Sequence, residues 1–361
     1  MPAKQFIAIS EQTVRSAING TPAYKFYPIT GKLEPTPKYK DDIIKEWRAV
    51  STAQGDVYDE RSSTSWDYSL EGRIYPGAEL ALLIKYLMGY AATTTPLSSP
   101  NSAAARTVYS SASEMYGDDA QLLDGAIAIV PNVAKGTTTY CQKFTGGRPK
   151  SAQFTFKGGE AASFKIDFIG GPWVGAVEQT AITGVSFPAS KALRSVPKIY
   201  FGSGAITTGT APNYTEVAPG TMSRALPDDL TITMDNGIED VYKMNDIEGP
   251  SVSERARQWS ITAEFTIDFA DPASGWSSYD AWAAGFSDVQ YTPFMMVLKS
   301  SEIIPSCSTA NYDVTIYVPK MKVTLEQPER KNDGSKSKIK VKLESRLDET
   351  ENIAAYVKLL F

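Results

Sequence analysis

The sequence predicts a mainly β protein: two β-sandwich or barrel units in tandem, each with a short flanking α-helix. Three observations carry this prediction. Segments of alternating apolar and polar residues recur between Gly- and Pro-marked turns, as half-buried strands do. Tyr is abundant at 19 residues, and Leu-rich helical runs are scarce, a mix that favours strands. An order of strand, helix and hairpin occurs twice along the chain. At 361 residues the chain is too long for one ordinary core and comfortable for two. Its composition, 42% hydrophobic and 21% charged, suits packed cores throughout.

Residues 1–60 are punctuated by Pro and Lys and read as an N-terminal arm with first strands, one at 23–28, followed by a polar stretch over 38–46. The first unit spans 61–171. It opens with WDYSLEGRIYPG, where Trp66, Tyr68 and Leu70 share one face and Asp67, Ser69 and Glu71 the other, the period-two signature of a half-buried strand. After Pro76, AELALLIKYLMG places Leu80, Leu83, Ile84 and Leu87 at helical spacing, with Gly89 as the C-cap. Residues 90–113 are rich in Ala, Ser, Thr and Pro without a period, which predicts a long exposed insertion. Order resumes with the apolar run Ile127 to Val130. Then QFTFKGGEAASFKIDFIGG alternates at Phe154 and Phe156, turns at Gly158-Gly159, and alternates again at Phe164, Ile166 and Phe168, a hairpin.

Residues 172–227 are rich in Gly, Ala, Thr and Pro, and only IYFG at 199–202 resembles a strand. They read as an extended connection. The second unit, 228–361, opens with Leu230, Ile232 and Met234 alternating before an Asn236-Gly237 turn. RQWSITAEFTIDF reads as a strand and GWSSYDAWAAGF as a second short helix. A terminal hairpin follows, turning at Asp333-Gly334, with Ile339, Val341 and Leu343 inside and Lys338, Lys340 and Lys342 outside.

The two units share detail as well as order. Each begins at a Trp, Trp66 or Trp259, with a Glu five residues on, Glu71 or Glu264. The helix that follows ends in Gly-aromatic, Gly89-Tyr90 or Gly285-Phe286, and an alternating hairpin closes each unit.

The chain contains no His, which excludes Ser-His-Asp triads, Cys-His dyads and HExxH zinc sites. Cys141 and Cys307 are the only cysteines and read as buried free thiols; two cannot complete a four-thiolate zinc site. No metal or cofactor is expected. Gly146-Gly147 and Gly170-Gly171 lack phosphate-loop spacing and read as turns. Carboxylate-pair chemistry remains open, with glycoside hydrolysis the most accessible form. The adjacent acids Asp118-Asp119, Asp228-Asp229 and Glu239-Asp240 read as solvated turn residues. Trp173, Trp276 and Trp282 are too scattered for a sugar-binding row. Net charge is −5, so the whole molecule offers no footprint for gripping phosphates, although like charge suits a passage for DNA. The apolar patch Phe6 to Ile9 is too short for a signal peptide, and the longest greasy stretch, 78–92, carries Glu79 and Lys85. Neither export by the usual route nor a membrane segment is expected.

Three stretches together resemble the tail tube proteins of siphophages and related gene-transfer particles. YSLEGRIYPGAELALLIKYLMG is similar to the family's strand-to-helix segment. LTITMDNGIEDVYKMNDIEGPSVSERARQWSITAEFTIDFAD resembles its alternating strand, Gly-Pro turn and following strand. KSAQFTFKGGEAASFKIDFIGG resembles its hairpin ending in hydrophobic-Gly. These cover about a third of the chain; the insertion at 90–113 and the chain's length depart from the family pattern. The resemblance implies two tail-tube-like units and no enzyme activity. It also implies self-assembly into stacked rings, with strands of neighbouring subunits completing an inner barrel through which DNA is ejected. Because such tubes are six-fold or pseudo-six-fold, a chain with two units would close as a homotrimer, and a single unit as a hexamer. Implied partners are further copies of the chain, a tape measure protein, tail terminator and tail-tip proteins, and double-stranded DNA in transit without sequence-specific binding. The implied location is the virion tail, after synthesis in the host cytoplasm. The loop 90–113 and the N-terminal arm are the expected contacts between rings. Competing expectations are another phage structural or decoration protein, or a carbohydrate-binding β-sandwich module.

Overall fold

A computed structural model describes residues 6–12, 24–28, 36–46, 56–88, 92–111, 124–129, 134–135, 138–171, 173–178, 190–194, 196–211, 213–241, 252–255, 259–269, 283, 285, 288–328, 337–348 and 354–361. The chain opens with β1 (Phe6–Gln12), β2 (Lys25–Pro28), β3 (Thr36–Glu46) and β4 (Asp56–Arg73), followed by helix α1 (Ala78–Met88). Next come β5 (Ala92–Pro96), β6 (Ala105–Ser110), β7 (Asp124–Ile129), β8 (Ala134–Lys135), β9 (Thr138–Lys157) and β10 (Ser163–Gly170). Then follow β11 (Trp173–Glu178), β12 (Lys198–Phe201), β13 (Ile206–Thr210), β14 (Asn213–Ala218) and β15 (Ser223–Ala225). The remainder holds β16 (Asp229–Asp235), β17 (Ile238–Val241), β18 (Val252–Arg255), β19 (Ser260–Asp268), β20 (Gln290–Ile303), β21 (Asn311–Leu325), β22 (Lys338–Ser345) and β23 (Tyr356–Leu360).

The protein is mainly β, and its large sheet is antiparallel. Its central run is β3–β4–β10–β9–β16–β19–β22–β21. The other edge of β21 pairs with β20, which leads to β12 and β15. Residues Asp313 to Tyr317 of β21 pair with β23, which leads to β6 and β5. The long β9 serves two regions: its later residues join the central run, and its earlier ones pair with β7 and β11.

Alternation decides which face is buried. Leu230, Ile232 and Met234 of β16, Ile261, Ala263 and Phe265 of β19, and Ile339, Val341 and Leu343 of β22 all point into one apolar cluster. The same cluster takes Phe154, Phe164 and Ile166 from the β9–β10 hairpin, so both halves of the chain share it. Phe201 of β12 joins the cluster, 5.6 Å from the Phe265 ring and 5.7 Å from that of Phe294, its cross-strand partner on β20. Helix α1 adds Leu80, Leu83, Ile84 and Leu87, the stripe read from the sequence. Entry to the helix is fixed by Tyr27, whose hydroxyl donates to the Arg73 carbonyl and accepts from the Tyr75 amide, both at 3.1 Å.

Several expectations are corrected. In place of an irregular exposed insertion over residues 90–113, the described part, 92–111, forms the β5–β6 hairpin, whose tip is exposed while Thr107, Val108, Tyr109 and Ser110 are buried. Because β6 lies between β5 and β23 with both faces covered, its alternation is erased, as for any doubly buried strand. Its turn is clamped by Asn101, whose side-chain oxygen accepts from the amides of Ser308 and Thr309 at 2.9 and 3.0 Å. The connection 172–227 holds four strands besides β12, each too short to show a period. The polar stretch 38–46 belongs to β3, whose Lys and Asp residues are those that edge strands tolerate. Gly146-Gly147 lie within β9, and Gly170 ends β10; a Cβ on Gly170 would stand 2.7 Å from Trp66 Cζ2 and 2.6 Å from the Gly146 carbonyl. Gly170 is thus required by close approach, where the sequence suggested a turn. Asn236-Gly237 turns with Gly237 at φ 65°, but it leads to β17, which pairs with β18 and not back onto β16. The C-cap Gly89, the turn at Asp333-Gly334 and most of the second expected helix lie outside the described residues.

Candidate functional site

The most extensive candidate site among the described residues is the face of the central run that turns away from the core. On β16, β19 and β22 every second residue is polar and at least partly exposed, including Thr231, Thr233, Thr262, Glu264, Lys340 and Lys342. Strands β4, β10 and β9 continue it with Ser69, Glu71, Lys165, Ser151, Gln153 and Thr155. Hydroxyls and amides alternate here with ion pairs. Lys165 Nζ lies 3.8 Å from Glu71 and 3.9 Å from Asp167. Lys340 is 3.3 Å from Glu264, and Lys342 is 3.5 Å from Glu344. The hydrogen bond that Lys340 donates to Glu264 holds its ammonium above the ordinary lysine range, with the charges of Glu264 and Glu326 adding to it. Glu344 is held below the ordinary carboxylate range chiefly by its hydrogen bond from Arg346; burial opposes this, and the hydrogen bond and charge of Lys342 add to the lowering. Lys338 is raised in the same way by Asp228.

At one end of this face β17 leans over β10, with Ile238 packed on Ile169. A cleft of about 500 Å³ results, lined by Asp67, Asp167, Ser151, Lys150, Glu239 and Asp240 among others. Asp167 accepts from the Ser69 hydroxyl and from Ser151 Oγ at 3.2 Å. Of the adjacent acids read from the sequence, Glu239-Asp240 therefore line a cleft, while Asp228 pairs with Lys338 and Asp229 accepts from the Thr266 amide at 2.8 Å. Asp118 and Asp119 lie outside the described residues, as do Trp276 and Trp282; Trp173 begins β11. Among the described residues no three of Cys, Asp and Glu are grouped to hold a metal ion, and no helix is long and apolar enough to cross a membrane. Cys307 is a free thiol.

A second feature escaped sequence reading. The β13–β14 hairpin packs on β20, β21 and β23, where Tyr214 and Val217 meet Met295, Tyr317 and Tyr356. Beneath it Glu216 binds Arg106 at 2.7 Å and Lys358 at 3.1 Å, and Lys358 in turn binds Asp313 at 3.2 Å. Four residues spread over more than two hundred positions meet here, with no local spacing to reveal them.

Sheet edges complete the inventory. Among the described residues β3 pairs only with β4, and β15 only with β12. Near β15 two apolar side chains are open to solvent, Leu226 at 74% and Val196 at 69%. Comparison with protein families and with curated proteins finds no match to this chain.

Proposed function

We propose that this chain is a structural subunit of the tail tube of a long-tailed bacteriophage, assembling into stacked rings that conduct DNA. The observation that carries the reading is the central run itself, buried on one face and polar on the other. It takes β3, β4, β10 and β9 from the first half and β16, β19, β22 and β21 from the second. In each half a strand pairs with a Trp-led strand, which pairs with the second strand of a hairpin. The register repeats too: Glu71 stands opposite Lys165, and Glu264 opposite Lys342. This supports two tail-tube-like units joined at the β9–β16 seam.

A wall needs a dry side for its core and a wet side for its bore, and this sheet has both. Ring closure also answers the hazard of an open edge, because a neighbour's strand pairs with it. On this reading the open edge of β3, which among the described residues pairs only with β4, is completed by a strand of the next chain. Three chains close a pseudo-six-fold ring. Tape measure, terminator and tail-tip proteins are then its partners in the virion tail, and the protein catalyses nothing. Sedimentation velocity at rising concentration tests the closure: trimers and larger species support it, and a hexamer as the smallest ring would refute the two-unit chain.

A further inference from the structure

Lysines on a wet sheet face are the usual means of holding nucleic-acid phosphates without regard to sequence. Of the lysines on the polar face of the central run, Lys165, Lys340 and Lys342 each have a carboxylate beside them. Glu71 faces Lys165 at 3.8 Å, Glu264 faces Lys340 at 3.3 Å, and Glu344 faces Lys342 at 3.5 Å. Asp167 and Glu326 add second carboxylates to Lys165 and Lys340, at 3.9 and 3.8 Å. Arg73 and Lys157, at the strand ends, Lys150, in the cleft, and Lys322, opposite Glu344 on β21, stand outside these pairs.

A lysine gains DNA affinity largely by releasing mobile counterions when it meets a phosphate. A carboxylate fixed beside it, on the neighbouring strand as Glu71 and Glu264 are or two residues along the same strand as Glu344 is, cannot be released, and it repels the incoming phosphate. We infer that Glu71, Glu264 and Glu344 are built-in counterions that keep this face from gripping double-stranded DNA. Its setting, the bore of the tube, rests on the function proposed above; its chemistry does not. The same face can then be lined with lysines, two of which, Lys165 and Lys340, also bridge adjacent strands, and still let a polyanion pass.

The test compares wild type with E71Q/E264Q/E344Q and with a charge-matched control, E79Q/E160Q/E302Q, placed elsewhere. Exposed ion pairs contribute little to folding, so circular dichroism of the variants should match wild type. The probe is a labelled duplex DNA of arbitrary sequence, read by fluorescence anisotropy from low to physiological salt. The face variant should bind at least about tenfold more tightly than wild type and the control, with the gain fading as salt rises, each phosphate contact adding a slope of roughly −0.9. Equal binding by wild type and face variant, or an equal gain in the control, would overturn the counterion role. Because the assay needs no assembly, a protein that never forms rings while its face variant grips DNA would refute the tube and leave this role standing.

Discussion

Trp259 Nε1 donates a hydrogen bond to the backbone carbonyl of Leu87, 3.3 Å away and 172 positions earlier in the chain. Leu87 lies in the last turn of α1, where carbonyls lack helical partners. The Trp that leads the β19 segment therefore caps the helix that follows β4. Trp259→Phe keeps most of the ring and removes the donor from a buried site. It should lower the unfolding free energy by about 1 kcal/mol, measured by urea denaturation. An unchanged midpoint would show the bond to be incidental.

The Arg106–Glu216–Lys358–Asp313 group ties β6, β14, β23 and β21 together beneath the β13–β14 hairpin. The Lys358 and Asp313 side chains are only 9% and 5% exposed, so removing one partner strands the other in a dry site. Lys358→Met should cost on the order of 3 kcal/mol. Lys358→Met combined with Asp313→Leu should cost clearly less than the two single changes together. A double-mutant cycle reads this directly; additive losses would mean that the pair is not coupled.

Alkali should unfold the protein through its tyrosines. Burial raises the Tyr109 hydroxyl from 10.0 to about 12, and burial likewise raises Tyr27 and Tyr68. Below pH 10 both folded and unfolded chains keep these protons, and the stability is fully present. Between about 10 and 12 the unfolded chain releases the Tyr109 proton while the folded one holds it, so stability falls as pH rises through that window. The raised lysines Lys338 and Lys340 act in the same direction at the upper end. Phenolate absorbance should show an early exposed fraction and a late fraction that appears only with unfolding, and Tyr109→Phe should lessen the fall. A single titration near pH 10 in the folded protein would contradict this.

The strands that bury one face were legible because their sequence alternates: Trp66 to Leu70, Phe154 and Phe156, Leu230 to Met234, and Ile339 to Leu343 all lie in the core as read. The α1 stripe was legible for the same reason. Where both faces are covered, as in β6 and in Met295 to Leu298 of β20, the period vanishes and composition misleads. Gly170 looked like a turn because the need for a small residue comes from Trp66, more than a hundred positions away. The Lys–Glu pairs of the polar face were half visible. Lys338, Lys340 and Lys342 showed their outward direction; Glu344 sits two residues from Lys342 on the same strand, while Glu264 meets Lys340 only through a register that no single strand encodes.

The central claim is that three chains close into a ring whose bore is lined by the polar face of the central run. Electron microscopy of the purified protein at rising concentration, with class averages of end-on particles, tests it most directly. Hollow rings or stacked tubes with three-fold symmetry and a pseudo-six-fold outline are the predicted result. A monomer at every concentration, or rings of six whole chains, would contradict it.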